Sequence, residues 1–369
     1  MNEIFKKIYI GIFQLLLIFI LLFFFGCSSI ISTDSKTTES LVLQDQKITE
    51  SSTSKSDSNQ DGNVPLPPDE ANGLFVFDNI IYCADYKAGL KILDSRDKSN
   101  IKQIANLPVK GDAVDVFVKD DCAFIAAGNS GLIVADISNH KDLKIIESFE
   151  ELRRENPNGY SKRVLCRDNI LFLSDSSGGL VIIDINDINK PDLLSIIKSP
   201  MDGYILDCLL IDDLAFLADD RSGILTVDIS NLRNPVLLSQ TPVEGMAQCL
   251  AAENIDYIDN GNGNNTENKN DFIYAANYNG GMQIIDINDP KNLKTIGKYS
   301  DLSHAVSIAV SGNTVFVSDY DGLAIIDISN RKNPVLNENL DTGKTNDVYV
   351  YEGYVYTAGE KGVSVFELE

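Results

Sequence analysis

One sequence unit recurs from about residue 71 to the C-terminus, and it constrains the fold more than any other feature. Each copy has a glycine followed by a short apolar run that ends in an acidic residue. The seven copies begin at Gly89, Gly131, Gly179, Gly223, Gly281, Gly322 and Gly362. Their spacing is about 40–48 residues, except where a polar insertion, residues 256–271, lengthens the interval before Gly281. Repeats of this length are supersecondary units that bury a continuous core by stacking on one another.

Each unit contains four short predicted β-strands. An apolar run such as residues 314–319 precedes the glycine, and a few Gly, Asp, Asn or Ser residues join the two runs, which is a hairpin signal. A further run, such as 306–310, comes before this hairpin, and a fourth, such as 236–238, follows a turn that ends in Asn-Pro. Four strands in slightly more than 40 residues is the period of a β-propeller blade. The sequence therefore predicts an all-β fold, a seven-bladed β-propeller of four-stranded antiparallel blades over residues 71–369.

The unit resembles the LVIVD repeat, a family of propellers from bacterial and archaeal surface proteins. Residues 322–334, Gly-Leu-Ala-Ile-Ile-Asp-Ile-Ser-Asn-Arg-Lys-Asn-Pro, carry the resemblance best. The resemblance covers nearly the whole predicted propeller and implies the fold, but little about function. WD40, kelch, sialidase and quinone-dehydrogenase propellers characteristically use Trp, and this chain has none. Their chemistry is therefore not transferred to it.

Residues 1–26 have the anatomy of a targeting segment. Lys6 and Lys7 precede an apolar run over residues 8–25, which ends at Gly26-Cys27. A small residue before a Cys at this place resembles the lipobox of bacterial lipoproteins, although Phe24 stands where that family prefers Leu. The resemblance implies a signal peptide cleaved after Gly26 and a lipid on Cys27. An uncleaved transmembrane helix is the alternative, because about 18 apolar residues can just span a bilayer. Either way we expect an extracytoplasmic protein, in the first case lipid-anchored to a bacterial membrane at the cell surface or in the periplasm.

Residues 27–70 differ in composition from the repeats. Ser, Thr, Asp, Lys and Gln dominate, and a proline cluster ends the segment. Such a composition cannot bury enough apolar surface to offset the entropy of ordering, so it predicts a flexible tether. The net charge of −23 opposes binding to nucleic acid or to bare anionic lipid. We expect a monomer whose partner is an envelope or surface protein or a glycan, with the membrane reached through the lipid anchor.

Polar residues that vary between blades occupy one position of the predicted first strand, which lies nearest the channel of a propeller. These residues are Asp115, Arg163, Asp207, Gln248, Ser307 and Asp347. Together with His304, at the entry to blade six, they are the candidate ligand site at the channel mouth. The alternative is that they are solvated strand ends around a water-filled channel.

A second candidate site lies in the tether. Asp57, Asn59 and Asp61 match the opening of a calcium-binding loop, and Gly62 follows them. The closing Glu is missing, since Pro68 stands in its place and Asp69 comes one residue late. A linker rich in Asp, Asn and Ser also produces such a match by chance. Calcium is the one cofactor that the sequence suggests.

Two other sets of residues are given structural roles. The aspartates that end the apolar runs (Asp94, Asp136, Asp184, Asp228, Asp286 and Asp327) recur in nearly every blade, so we expect them to cap the following turn rather than to bind metal. Cys208 and Cys249 align with Val116, and Cys166 aligns with Val118, all at blade-packing positions. We therefore expect buried free thiols, where Cys behaves as a small hydrophobe.

The closure of the ring stays open at this stage. The C-terminus supplies three strands of blade seven and then stops. Residues 40–44 are the one β-like run in the tether that is available as the missing outer strand. Otherwise blade seven keeps a short open edge.

Function is the least determined property. The chain has two histidines, His140 and His304, and no triad order, zinc-ligand spacing, phosphate loop or dinucleotide motif. The sequence favours a binding or scaffolding module and no catalytic residues. The alternatives are an enzyme or small-ligand receptor with its site at the channel mouth, and a purely structural envelope component.

Overall fold

The computed structural model describes residues 49–50, 70–149, 157–253 and 271–368. These residues lie within one compact unit, Gln46–Glu369, and form seven four-stranded antiparallel sheets. The predicted all-β, seven-bladed propeller is confirmed. No helix in these ranges has the length and hydropathy needed to cross a membrane. The predicted insertion falls between the first two strands of blade five, and its residues up to 270 lie outside the described part of the chain.

In blades one to six the strands follow one another in chain order, from the channel outward, and in blade seven the outer strand comes from the N-terminal part of the chain. Blades one to three contain β2 (Ala71–Phe77), β3 (Ile80–Asp85), β4 (Gly89–Asp94), β5 (Lys102–Leu107), β6 (Asp115–Lys119), β7 (Cys122–Ala126), β8 (Leu132–Asp136), β9 (Lys144–Ser148), β10 (Arg163–Arg167), β11 (Ile170–Ser174), β12 (Leu180–Asp184) and β13 (Asp192–Ile197). Blades four and five contain β14 (Ile205–Ile211), β15 (Leu214–Asp219), β16 (Gly223–Asp228), β17 (Val236–Thr241), β18 (Cys249–Ala251), β19 (Phe272–Ala276), β20 (Met282–Asp286) and β21 (Lys294–Tyr299). Blades six and seven contain β22 (Ser307–Ser311), β23 (Thr314–Asp319), β24 (Gly322–Asp327), β25 (Val335–Leu340), β26 (Thr345–Tyr351), β27 (Tyr354–Gly359), β28 (Gly362–Glu367) and, as outer strand, β1 (Thr49–Glu50).

The second and third strands of each blade carry the core. In blades one to six they are almost continuously buried, and in blade seven β28 is buried at Val365 and Phe366, whereas outer strands such as β5 and β25 are largely exposed. One large aromatic side chain stands at the same buried position of every second strand. These residues are Tyr82, Phe124, Phe172, Phe216, Tyr274, Phe316 and Tyr356. Neighbouring blades cover both faces of each sheet, which is why the strands read as apolar runs without strict alternation.

The glycine of the repeat is required by its backbone geometry. Gly179 has φ +92°, and a Cβ there would lie 2.2 Å from the carbonyl oxygen of Ile197 on the outer strand. Gly281 has φ +71° and the same distance to the carbonyl of Tyr299. Only a residue without a side chain fits a left-handed conformation against a neighbouring strand.

The repeated aspartates form the predicted turns. In blades one to six a carboxylate oxygen accepts the backbone N–H of the residue two places later, at 2.7–3.0 Å; the acceptors are Asp94, Asp136, Asp184, Asp228, Asp286 and Asp327. Side-chain and backbone hydrogen bonds from Arg96 lower the pKa of Asp94 to about 2. Hydrogen bonds from Ser138 likewise lower the pKa of Asp136. Their capping role is confirmed.

Blade seven is closed by an N-terminal strand. β1 pairs antiparallel with β28, with Thr49 opposite Glu367 and Glu50 opposite Phe366. The sequence pointed instead to residues 40–44, which lie outside the described residues. The closing strand lies within the predicted tether and has no apolar pattern, because an outer strand is held by backbone hydrogen bonds and needs no buried face.

The cysteines of the propeller are free thiols, as predicted. Cys83, Cys166, Cys208 and Cys249 are buried and Cys122 is half-buried, and none forms a disulfide. Burial raises the pKa of the Cys166 thiol to about 12. These thiols are therefore protonated at neutral pH.

Candidate functional site

The seven first strands place one residue each at an equivalent position around the channel. In each blade this residue pairs with the fifth residue of the second strand, as Asp115 pairs with Ala126. This set, which we call the inner ring, consists of Gly73, Asp115, Arg163, Asp207, Cys249, Ser307 and Asp347. Five of the six varying polar residues predicted from the sequence belong to it.

The assignment of Gln248 to this position needs a correction. Cys249 pairs with Ala276 as Asp115 pairs with Ala126, so Cys249 and not Gln248 is the inner-ring residue of blade five. The same shift moves Cys249 away from the position of Val116, where the sequence had placed it. A buried alanine, Ala247, stands two residues before Cys249, as Ala113 stands two residues before Asp115. This alanine would have given the correct register in the sequence.

Arg163 is the centre of the inner ring. Its Nη2 donates to Asp347 Oδ1 at 2.9 Å and its Nη1 to Asp115 Oδ1 at 3.3 Å. Nε lies 3.7 Å from Asp207 Oδ1. The same Nη2 lies 3.3 Å from Ser307 Oγ and 3.4 Å from Cys249 Sγ. One guanidinium thus joins blades two, four, five, six and seven to its own blade.

The carboxylates of the ring use their second oxygens to hold the next blade. Asp115 Oδ2 accepts the backbone N–H of Val164 at 2.9 Å. Asp207 Oδ2 accepts that of Leu250 at 2.8 Å, and Asp347 Oδ2 accepts that of Leu74 at 2.9 Å. Each aspartate therefore pairs with Arg163 through one oxygen and accepts a backbone N–H of the next blade through the other, so the network links neighbouring blades around the channel.

Burial governs the electrostatics of this network. Burial raises the pKa of Asp115 to about 7, although Arg163 opposes the shift. Burial also raises the pKa of Asp207. Burial acts to lower the pKa of Arg163, but Asp347, Asp115 and Asp207 hold it well above its usual value. A raised carboxyl pKa can mark a catalytic acid; here both oxygens of Asp115 already have partners, so the arrangement is suited to structure.

His304 lies on a different part of the molecule. We call the face with the connections between blades and the hairpins between second and third strands the loop face, and the opposite one, with the aspartate turns, the turn face. His304 is on the loop face, where its backbone N–H donates to Asp319 Oδ1 at 3.0 Å. Its ring stacks on Tyr320 at 4.6 Å and meets the edge of Tyr278 at 4.6 Å. Lys344 Nζ lies 4.8 Å from the centre of the Tyr320 ring.

His304 belongs to a larger arc that the sequence did not reveal. Three residues before the inner ring, blades three to six carry Tyr160, Tyr204, Met246 and His304 in succession. Tyr278 and Tyr320 of the neighbouring hairpins join them. Tyr204 is 46% exposed and Met246 37%. These six residues form what we call the aromatic arc; the equivalent residues of blades seven, one and two are Lys344, Glu70 and Asp112.

Backbone hydrogen bonds hold the arc in place. Tyr278 exchanges two with Ala305 of the next blade, at 2.9 and 3.1 Å, and Ser176 exchanges two with Ile205. Ser161 donates to the carbonyl of Gly128 at 3.0 Å. Hairpins of one blade are thus bonded to the loop of the next, so the arc stands on a rigid support.

Cys27, Asp57, Asn59, Asp61 and Asp69 lie outside the described residues. In the described ranges no group of three or more His, Cys, Asp or Glu side chains is arranged to hold a metal ion. His140 lies in the turn between β8 and β9, on the turn face and so opposite His304.

Comparison with known proteins agrees with this architecture. The sequence profile of the LVIVD repeat matches residues 110–150, 158–198, 202–241, 261–301, 303–342 and 342–365. No curated protein matches the sequence.

Solved structures share the fold at low identity. A chain of the mitotic checkpoint complex superimposes with a TM-score of 0.63 at 8% identity, over 93% of this chain and 99% of its own. BamB from Moraxella catarrhalis gives 0.53 at 12% identity, over 80% and 83%. The computationally designed Ika8 protein gives 0.54 at 13% identity, over 81% and 96%. At these identities the likeness concerns the fold alone.

Proposed function

The chain belongs to the LVIVD repeat family, and we propose that it is a membrane-anchored binding module of the cell envelope, whose propeller engages a protein partner through the aromatic arc. The observation that carries this proposal is the arc itself: exposed Tyr and Met side chains on a rigid face, at varying positions of the repeat. Aromatic residues and Met are enriched in protein interfaces, and Tyr in their hot spots.

A protein partner is favoured over a glycan by the way the arc is packed. A sugar that stacks on an aromatic side chain needs an open ring face. His304 and Lys344 both lie against the ring of Tyr320, and Tyr278 meets His304 edge-on. The rings of blades five and six therefore present edges and side-chain tips, which suit the mixed apolar and polar contacts of a protein interface.

Catalysis at the channel mouth is disfavoured by the inner ring. Its carboxylates are bonded to Arg163 and to backbone N–H groups, so they have no free oxygen aimed at a substrate. The two histidines of the chain stand on opposite faces. Five of the six varying polar residues that suggested a ligand site thus have partners within the protein.

We expect residues of the arc to lie within cross-linking distance of the partner in intact cells. A photoreactive phenylalanine analogue at position 204 or 246 of the full-length protein should capture the same protein. The control is the analogue at position 237, since Leu237 is equally exposed on the outer strand of blade four. Capture identified by mass spectrometry from 204 and 246 but not from 237 supports the proposal. Capture from 237 alone would refute it.

The anchor is supported by the sequence of residues 1–27 and is tested separately. Cys27→Ser should abolish incorporation of labelled palmitate and move the protein from the membrane to the soluble or secreted fraction. Cys122→Ser is the matched control, because Cys122 is half-buried in the propeller. A Cys27→Ser protein that stays in the membrane fraction would favour the uncleaved transmembrane helix.

A further inference from the structure

The outer strands are the edges of the seven sheets, and β17 of blade four differs from the others in charge. Among the outer strands in the described residues it is the one without a charged side chain. Its sequence is Val-Leu-Leu-Ser-Gln-Thr, and the uncharged stretch extends over residues 234–243. Val236 is 50% exposed and Leu237 46%. An edge strand with exposed apolar residues and no charge is a template for pairing with another strand.

The other outer strands carry the charged residues that protect a sheet edge from such pairing. β5, β9 and β21 each begin with a lysine, β13 begins with Asp192, and β25 and β1 each contain a glutamate. The lysines pair with the aspartate that ends the third strand, and in blade four Val236 holds that position. β17 therefore lacks a protection that its equivalents have.

The charges on either side of β17 are neutralised by ion pairs. Arg233, which precedes the strand, pairs with Asp192 at 2.6 Å, and Glu244, which follows it, pairs with Lys298 at 2.9 Å. The edge is therefore locally neutral, although the whole chain carries a net charge of −23. Two copies of so acidic a chain repel one another, and the repulsion is weakest where the surface is neutral.

A strand fits this edge better than a lipid does. β17 is the terminal strand of its sheet, so the backbone N–H and C=O groups along its outer side are not used within the sheet. Such groups would lack partners in the acyl region of a bilayer. An antiparallel strand satisfies them and also covers the exposed aliphatic side chains.

We propose that β17 pairs antiparallel with β17 of a second copy of this chain, about a twofold axis, so that the two fourth blades form one eight-stranded sheet. This pairing brings no like charges together, whereas β21, with its two lysines, would do so. Pro235 and Pro242 flank the strand and confine the pairing to it, because proline has no N–H to donate.

The geometry of the pair leaves the aromatic arc accessible. β17 runs from the turn face to the loop face, so antiparallel pairing sets the loop face of one copy beside the turn face of the other. The inference therefore does not rest on the arc or its partner. One paired strand is smaller than the about 800 Å² per partner of a standard interface, so we expect a reversible dimer. At low concentration the chain is then the monomer that the sequence led us to expect.

The test is sedimentation equilibrium of the full-length protein in density-matched detergent, over a range of concentrations. The parent should show a reversible equilibrium between monomer and dimer. Val236→Lys should raise the dissociation constant about tenfold or more, because the twofold axis brings two ammonium groups to the same edge. The fold accommodates this change, since blades one, two and five carry lysine at the equivalent position. Val335→Lys is the matched control, because Val335 holds that position in blade six and is 51% exposed.

A photoreactive phenylalanine analogue at position 237 identifies the occupant of the edge in intact cells. A cross-linked product of twice the chain mass, with peptides from this chain alone, supports the second copy. Capture of a different protein overturns the inference, and so does a parent that stays monomeric at every concentration. An equal effect of Val335→Lys would show that β17 is not the paired edge. Capture from position 204 tests the aromatic arc independently, so the two proposals fail separately.

Discussion

Arg163→Met is expected to lower the free energy of unfolding by about 3–5 kcal/mol, the cost of removing one member of a buried ionic network. The substitution keeps most of the side-chain volume but leaves Asp115, Asp207 and Asp347 buried without their shared counter-charge. Those carboxylates also accept backbone N–H groups from three adjacent blades. The substitution should therefore weaken the contacts between blades that close the ring. The measurement is the urea unfolding midpoint and slope at neutral pH.

Arg233→Met provides the control for this experiment. Arg233 pairs with Asp192 at 2.6 Å, but both side chains are largely exposed. An exposed pair contributes about 0–1 kcal/mol, so this variant should stay close to the parent. Equal destabilisation by the two substitutions would show that the inner ring does not depend on Arg163. Arg163→Lys should fall between them, since an ammonium cannot reach the same set of acceptors.

Unfolding measured against pH should show stability rising from pH 8 to pH 5. In the folded protein the pKa of Asp115 is raised to about 7, whereas in the unfolded chain it is about 3.9. Between these values the folded state binds the extra proton, so its stability increases as pH falls. For one such group the gain is on the order of 2–3 kcal/mol. Asp115→Asn should remove most of this slope, because the amide oxygen still accepts the N–H of Val164 but no longer titrates.

Below about pH 4 the free energy of unfolding should instead fall as the pH falls. The folded-state pKa of Asp94 is held at about 2 by its hydrogen bonds with Arg96. That contribution is present above about pH 4 and is lost as pH falls toward 2. Asp136→Asn is the control, because hydrogen bonds from Ser138 lower the pKa of Asp136 and its effect is confined to the acid limb. A pH 5–8 slope that is the same in Asp115→Asn and in the parent would contradict the assignment of the slope to Asp115.

Local features could be predicted because each blade repeats the same physical requirement. A glycine stands at or directly before the start of each third strand, because that position needs a left-handed residue against the outer strand. An aspartate ends the third strand in blades one to six, because it caps the following turn. The cysteines were placed as packing residues from the same periodicity. At blade five the strand register was predicted from apolar character alone, and the predicted inner-ring residue was Gln248, one residue before the observed Cys249.

Contacts between distant blades were not predictable in this way. Arg163 and Asp347 are 184 positions apart and meet only because the ring closes. The sequence indicated that polar residues vary at the inner position, and this suggested a ligand site, which stays a prediction. In the structure Asp115, Asp207, Ser307 and Asp347 all contact Arg163. The two-residue strand β1 could not be predicted either, because a strand held by backbone hydrogen bonds needs no apolar pattern in its side chains.

The sequence by itself determined the number of blades, the strands within them and the turns that join them, since these depend on short-range periodicity and local hydrogen bonds. The tertiary structure decided which residues face one another across the channel and which stand exposed on the loop face. It brought Asp115 and Asp347 of the predicted channel residues into ion pairs with Arg163. It also assembled Tyr160, Tyr204, Met246 and His304 from four blades into one surface. Neighbours in that surface are set by the rotation between blades, which no local stretch of sequence encodes.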